Sequence, residues 1–207
     1  MQEMEAIEQV KQIKRSFRLY MNGVTSTSMR NKGLDYKINW GVSQMDLRHI
    51  AEQYGKNKAL AVALWNENIR ECKILATLIM PANEFKATEA AEWAATLLTV
   101  EMAEMVVFNL FQHIAEAEQL SLMLLQSDTP LVRICAYNLV CRMLKNKVEC
   151  SPALYAELFK NAAADLNSTN RQLLHSLVNC LDYVSSFDTE QGKAATQLLK
   201  EGGFYVF

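Results

Sequence analysis

The chain has 207 residues and a mass of 23.5 kDa, which suits one domain or one short repeat array. Seven glycines and three prolines fall well below ordinary usage of about 12% for the two together, which argues against a turn-rich β-sandwich or barrel. Half of the residues are apolar and 21% are charged, enough for a sizeable core and unlike a disordered chain.

The net charge of −2 conceals an uneven distribution. Residues 1–80 carry 12 basic and 8 acidic groups, whereas 81–128 set Lys86 alone against eight acids. Residues 129–150 return to +3 and 151–207 fall to −2. A basic face for nucleic acid would therefore draw on 1–80 and 129–150, and charge by itself neither supports nor excludes DNA as a partner. No apolar run approaches the roughly 18 residues of a membrane span, and Met1-Gln2-Glu3-Met4-Glu5 lacks the order of a signal peptide, so a cytoplasmic protein with no membrane partner is expected. Cys72, Cys135, Cys141, Cys150 and Cys180 form no CxxC pair and are read as reduced, mostly core thiols.

In chain order the hydrophobic pattern is helical throughout, with no sustained strict alternation, and the expected class is all-α. Residues 2–20 form an amphipathic helix with Ile7, Val10, Ile13, Phe17 and Tyr20 on one side. Residues 22–41, rich in Gly, Ser, Thr and Asn, are the least regular stretch. Ser43 can cap the next helix, with Asp46 answering three residues later, and Gly55 is a sensible stop. Further short helices are expected at about 57–66, 67–80, 84–97, 100–114, 116–126, 129–145, 151–164, 169–185 and 189–201. Residues 1–207 read as a single domain, with an N-terminal helix and irregular segment to about 42 and helical repeats over 43–207.

The stretch Asp128-Thr-Pro-Leu-Val-Arg133-Ile-Cys-Ala136-Tyr-Asn-Leu139-Val-Cys-Arg-Met-Leu144 resembles the second helix of a HEAT repeat, with weaker echoes starting at Arg70 and Arg171. The Arg-to-Arg steps of 63 and 38 residues suit repeats of that length, so HEAT-like helical repeats stacked as an α-solenoid are expected, with one concave binding surface.

The resemblance extends to a family. Tyr36-Lys-Ile-Asn-Trp40-Gly41-Val42-Ser43, Leu47-Arg48-His49-Ile50-Ala51, Ala63-Leu64-Trp65 and Ile69-Arg70-Glu71-Cys72-Lys73-Ile74-Leu75-Ala76 resemble the N-terminal half of bacterial DNA alkylation repair proteins, the HEAT-like-repeat alkylpurine DNA glycosylases. The likeness runs on through Trp93 to Glu104, Asn109-Leu110-Phe111 and the Arg133 helix, covering about residues 30–145. It implies a protein that holds duplex DNA in its concave groove and hydrolyses the N-glycosidic bond of cationic alkylated purines, with no metal and no cofactor. The family pattern sets an aromatic residue four positions before a catalytic Asp and an Arg on a later helix. The matching positions here are Val100, Glu104 and Arg133, so the resemblance implies Glu104 and Arg133 as catalytic residues, with a longer carboxylate and no ring at Val100.

Each candidate has a competing structural role. Glu101 and Glu104 are carboxylates at helical spacing in an apolar helix, and in a first turn after Thr99 they would serve the helix dipole instead. Arg133 could hold a phosphate or pair with Asp128. Lys37, Arg48, Arg70 and Arg171 are candidate DNA-binding residues. Lys11, Lys14, Arg15, Arg18, Arg30 and Lys32 could extend a phosphate-facing strip with Lys37 and Arg48, or form a solvated helix face. His49, His113 and His175 have no metal-ligand spacing, and no Gly-rich phosphate loop or serine-hydrolase elbow is present. Trp40, Trp65 and Trp93 read as core anchors. Two rival readings remain: the same scaffold as a non-catalytic protein recognising DNA structure or a protein partner, and an interaction solenoid with no nucleic-acid role.

Overall fold

A computed structural model describes residues 2–34 and 36–204. Twelve α-helices account for most of them: α1 Gln2–Tyr20, α2 Gly23–Asn31, α3 Gln44–Tyr54, α4 Lys58–Trp65, α5 Arg70–Ile79, α6 Ala87–Ala95, α7 Val100–Asn109, α8 Ala117–Leu125, α9 Pro130–Lys145, α10 Pro152–Asp165, α11 Arg171–Ser185 and α12 Glu190–Glu201. Among the described residues the extended pairing is confined to one isolated bridge between Ile38 and Ile69. No helix is long and apolar enough to cross a membrane among the described residues.

The helices group into two compact units, residues 1–85 and 86–207. In the first, α1 packs on α4, α4 on α5 and α5 on α3. The buried stripe of α1 is Ala6, Val10, Ile13 and Phe17, while Ile7, expected on the same side, is exposed. Among the described helices α1 packs chiefly on α4, so its apolar face is one narrow stripe rather than a broad one.

The expected irregular stretch contains a helix after all. Asn22 accepts from Thr25 N at 3.0 Å and starts α2, whose Ser26 is buried and donates to Asn39 O at 2.6 Å. The following segment is held by one carboxylate: Glu71 Oε1 accepts from the backbone N–H of Trp40, Gly41 and Val42 at 3.1, 2.9 and 3.3 Å. Gly41 sits at φ +69°, where a Cβ would lie 2.4 Å from Asn22 O and 2.8 Å from Ser26 N, so only glycine fits. Ser43 caps α3 as expected, accepting from Asp46 N at 3.2 Å.

The second unit has two layers. α6, α8, α10 and α12 pack in succession as one layer, and α7, α9 and α11 form the other, with α8 against α9 and α12 against α11 tying the two together. The stretch expected as one helix over 84–97 is a 3₁₀ turn at Ala82–Glu84 followed by α6, and 100–114 divides likewise into α7 and a 3₁₀ turn at Phe111–His113. α9 supplies much of the core through Ile134, Cys135, Ala136, Tyr137, Leu139, Val140 and Met143. All five cysteines are free, and four of them are buried.

Candidate nucleic-acid interface

The side of α9 turned away from α8 is the open strip of its layer. Met143 faces α8, touching the hydroxyl of Ser121, and at about 100° per residue the opposite side carries Leu131, Asn138, Arg142 and Lys145. Arg142 leans towards α7, its guanidinium 4.6 Å from the centroid of the Phe108 ring, and Lys145 leans the other way, its ammonium 5.2 Å from the Tyr183 ring of α11. Tyr183 in turn meets Phe187 edge-on at 5.4 Å.

Glu104 lies one turn before Phe108 on α7 and is exposed. Thr99 caps the helix, accepting from Met102 N at 3.2 Å, as expected, but only Glu101 falls in the first turn. Glu104 stands a residue or more beyond the orphan N–H groups, so the helix end gives it no partner and it is presented to solvent. Val100, a turn earlier, is half-buried. The carboxylate is thus flanked by an aliphatic side chain on one side and a partly exposed ring on the other.

Arg133 is placed differently from the expectation. It precedes Arg142 by nine residues, about 180° around the helix, and points to the back of α9. There it pairs with Asp165 at the end of α10 at 3.0 Å, not with Asp128. Asp165 also accepts the Tyr137 hydroxyl at 2.6 Å, and burial followed by this bond to a carboxylate pushes the Tyr137 pKa up. The carboxylate of Asp165 is 5% exposed and the Arg133 side chain 19%, with Arg133 Nε buried and making no hydrogen bond. This cluster joins α9 to α10, and its geometry is that of an interlayer clamp.

The four candidate DNA contacts divide as well. Arg70 is 2% exposed, with Nη1 donating to Val42 O at 3.3 Å and lying 3.4 Å from Glu71, so it is part of the clamp on residues 40–42 and cannot reach a phosphate. Lys37 is exposed on that same segment, and Arg48 is exposed on α3, lining a shallow depression with Ala51, Glu52, Gly55, Lys56 and Leu78. Arg171 is exposed at the first position of α11. Sequence reasoning missed Arg142, Lys145 and Phe108. The signal was helical phase: from Asn138, steps of four and seven reach Arg142 and Lys145, a polar strip on an otherwise apolar helix.

Of the tryptophans, Trp65 and Trp93 are core residues as expected, and Lys73 sits buried beneath Trp65, its ammonium 4.4 Å from the ring and donating to Trp65 O at 2.7 Å. Among the described residues no cluster of three or more His, Cys, Asp or Glu side chains could hold a metal ion.

A solved structure described as belonging to a new family of proteins related to the HEAT-like repeat DNA glycosylases, with affinity for branched DNA structures, superposes with a TM-score of 0.79 at 14% identity, covering 93% of this chain and 82% of that one. At that identity the likeness establishes the fold: HEAT-like helical repeats, as the Arg133 and Arg171 segments suggested. No curated protein sequence matches the chain. The family model for the DNA alkylation repair enzymes matches residues 3–196, and the chain belongs to that family.

Proposed function

We propose that the protein binds duplex DNA on the open face of α7, α9 and α11 and hydrolyses the N-glycosidic bond of cationic alkylated purines there. The observation that carries the reading is the exposed Glu104 and Phe108 one turn apart on α7, with the half-buried Arg142 of α9 against the Phe108 ring. A cationic base leaves neutral when its bond to the sugar breaks, so the leaving group needs no proton, and the positive charge passes to an oxocarbenium-like sugar. Glu104 stabilises that charge and orients the attacking water. Arg142 holds the adjoining backbone phosphate, the role the family resemblance assigned to Arg133. Phe108 supplies an aromatic face a turn after the carboxylate, where the family pattern has one a turn before it. Lys145 and Arg171 extend the phosphate contacts in this unit, and in the first unit, taken by itself, the exposed Lys37 and Arg48 are candidate phosphate contacts.

Val100 favours a second reading, a protein that recognises DNA structure without hydrolysis, because no ring stands at the family's aromatic position. Release of methylated purine from N-methylated duplex DNA, measured for the wild type and Glu104→Gln together with a salt titration of binding, separates the two. Release that the substitution abolishes while binding persists supports the glycosylase. Binding that falls linearly with log salt, without release, leaves the non-catalytic protein. Absence of both refutes a DNA role and points to a protein partner.

A further inference from the structure

Two cations one turn apart on α9 lie against aromatic rings from the two helices that flank it. Arg142 and Lys145 are spaced i and i+3, so they share one face of the helix, yet they lean to opposite sides, onto Phe108 of α7 and Tyr183 of α11. Phe108 is 36% exposed and Phe187, which buttresses Tyr183 edge-on, is 38% exposed. Apolar rings of this size left partly open beside cations call for an explanation.

Duplex phosphates account for the cations but not for the rings. Within a duplex the faces of the bases are stacked on one another and unavailable to protein aromatics, and the outside of the helix offers sugar and phosphate. Unpaired nucleotides offer both halves of the match at once: a π-face for each ring and a phosphate for each cation, which is the pairing that single-strand binding surfaces use. We infer that the Phe108–Arg142 and Lys145–Tyr183 pairs form two stacking stations for unpaired bases, so that the preferred ligand of this face is DNA in which a short single-stranded stretch interrupts the duplex. Arg142 and Lys145 take the phosphates on either side of each stacked base, and the rings, already held by their cations, are pre-set for stacking. Glu104, one turn before Phe108 on α7, and Asp182, next to Tyr183 on α11, are exposed carboxylates near the two stations.

The inference rests on the DNA-binding reading above, and the test separates the two. Fluorescence anisotropy is measured with three labelled probes of the same sequence: an intact duplex, the duplex with a short gap in one strand, and the single strand. The wild type is compared with Phe108→Leu and Tyr183→Leu, which keep apolar bulk but remove the ring, and with Tyr183→Phe, which keeps the ring; circular dichroism checks folding, and either Leu variant suffices if the other fails to fold. The gapped probe is expected to bind more tightly than the duplex. Each Leu substitution is expected to weaken gapped and single-strand binding by about five- to a hundredfold, Tyr183→Leu to leave the duplex unchanged while doing so, and Tyr183→Phe to behave as wild type. Equal affinity of the wild type for gapped and intact duplex, or Leu variants that change neither, overturns the stacking stations and leaves DNA binding standing. Failure of the wild type to bind any probe overturns the DNA reading itself.

Discussion

Two arginines on opposite sides of α9 should fail in opposite ways when neutralised. Arg133→Gln leaves the Asp165 carboxylate, 5% exposed and still accepting from Tyr137, without its cation. Removing one partner of a buried pair costs about 3–5 kcal/mol, and the 19% exposure of Arg133 sets the figure near 3 because solvent reaches part of the pair. At about 2–4 °C per kcal/mol for a chain of this size, Tm falls by roughly 6–12 °C. Arg142→Gln removes only a cation–π contact at a partly exposed ring, about 0.5–1 kcal/mol, so Tm moves by no more than about 4 °C. Its effect is on DNA: one phosphate contact fewer lowers the slope of log affinity against log salt by about 0.9. Differential scanning fluorimetry and binding titrations over a range of salt give both readouts for each variant. A Tm unchanged in Arg133→Gln together with a reduced salt slope would show that Arg133, not Arg142, faces the DNA.

Other consequences follow from the buried groups. Gly41→Ala forces a Cβ to within 2.4 Å of Asn22 O at positive φ, so the segment must shift, and thermal melting should show a loss of more than about 1 kcal/mol. Glu71→Gln keeps the shape but weakens the acceptor for three backbone N–H groups and removes the charge beside Arg70, with an expected cost of about 3 kcal/mol by urea denaturation. Burial raises the thiol pKa of Cys72, Cys135 and Cys180, so these thiols stay protonated in the fold while the unfolded chain releases protons above its ordinary thiol pKa of about 8.5. The unfolded state then binds fewer protons, and stability is fully present below about pH 8.5 and declines as pH rises beyond it. Lys73, lowered by burial, works against this trend. Urea midpoints at pH 7.5 and 9.5 under reducing conditions should show the fall, and Cys135→Ala should make it shallower.

Much of the helical order could be read in the sequence because most helices carry their own start signals and apolar stripes. Ser43 and Thr99 cap as their positions suggest, and α9 runs over nearly the residues its pattern marks. α2 was illegible for a physical reason: its sequence Gly-Val-Thr-Ser-Thr-Ser-Met-Arg-Asn has low helix propensity, and it is held by tertiary bonds such as Ser26 to Asn39 that no local pattern encodes. At the proposed site, the spacing of the family motif put forward Glu104, which is exposed on α7. Arg133 and Arg142 were not separable by residue type, since both sit in an apolar helix; only the angle between them decides which one pairs with Asp165 and which one lies against the Phe108 ring. Arg70 misled because an arginine at the start of a repeat helix looks the same in sequence whether it faces a ligand or, as here, a buried carboxylate.

Three of the eight acids of the stretch 81–128 have a structural destination in the second unit. Glu116 accepts from the backbone of Ala87 at 2.8 Å and pairs with Lys86 at 3.3 Å, closing the start of α6; the Ala87 N–H, then Lys86, hold its pKa below the usual carboxylate range. Glu89 accepts from Lys86 N at 3.1 Å, and Glu118 accepts from Ser151 N at 3.1 Å just ahead of α10. These carboxylates satisfy N–H groups at the starts of α6 and α10, where a negative charge is favoured by the helix dipole. The other layer keeps Arg142 and Lys145 on its open strip. A sum of charges along the chain merges these two groups, whereas in the fold Glu116 and Glu118 join α6 and α10 to their neighbours, and Arg142 and Lys145 lie against aromatic rings of the other layer. Glu104, which closes no helix end and is exposed on α7, differs from Glu89, Glu116 and Glu118 in having no such fastening role.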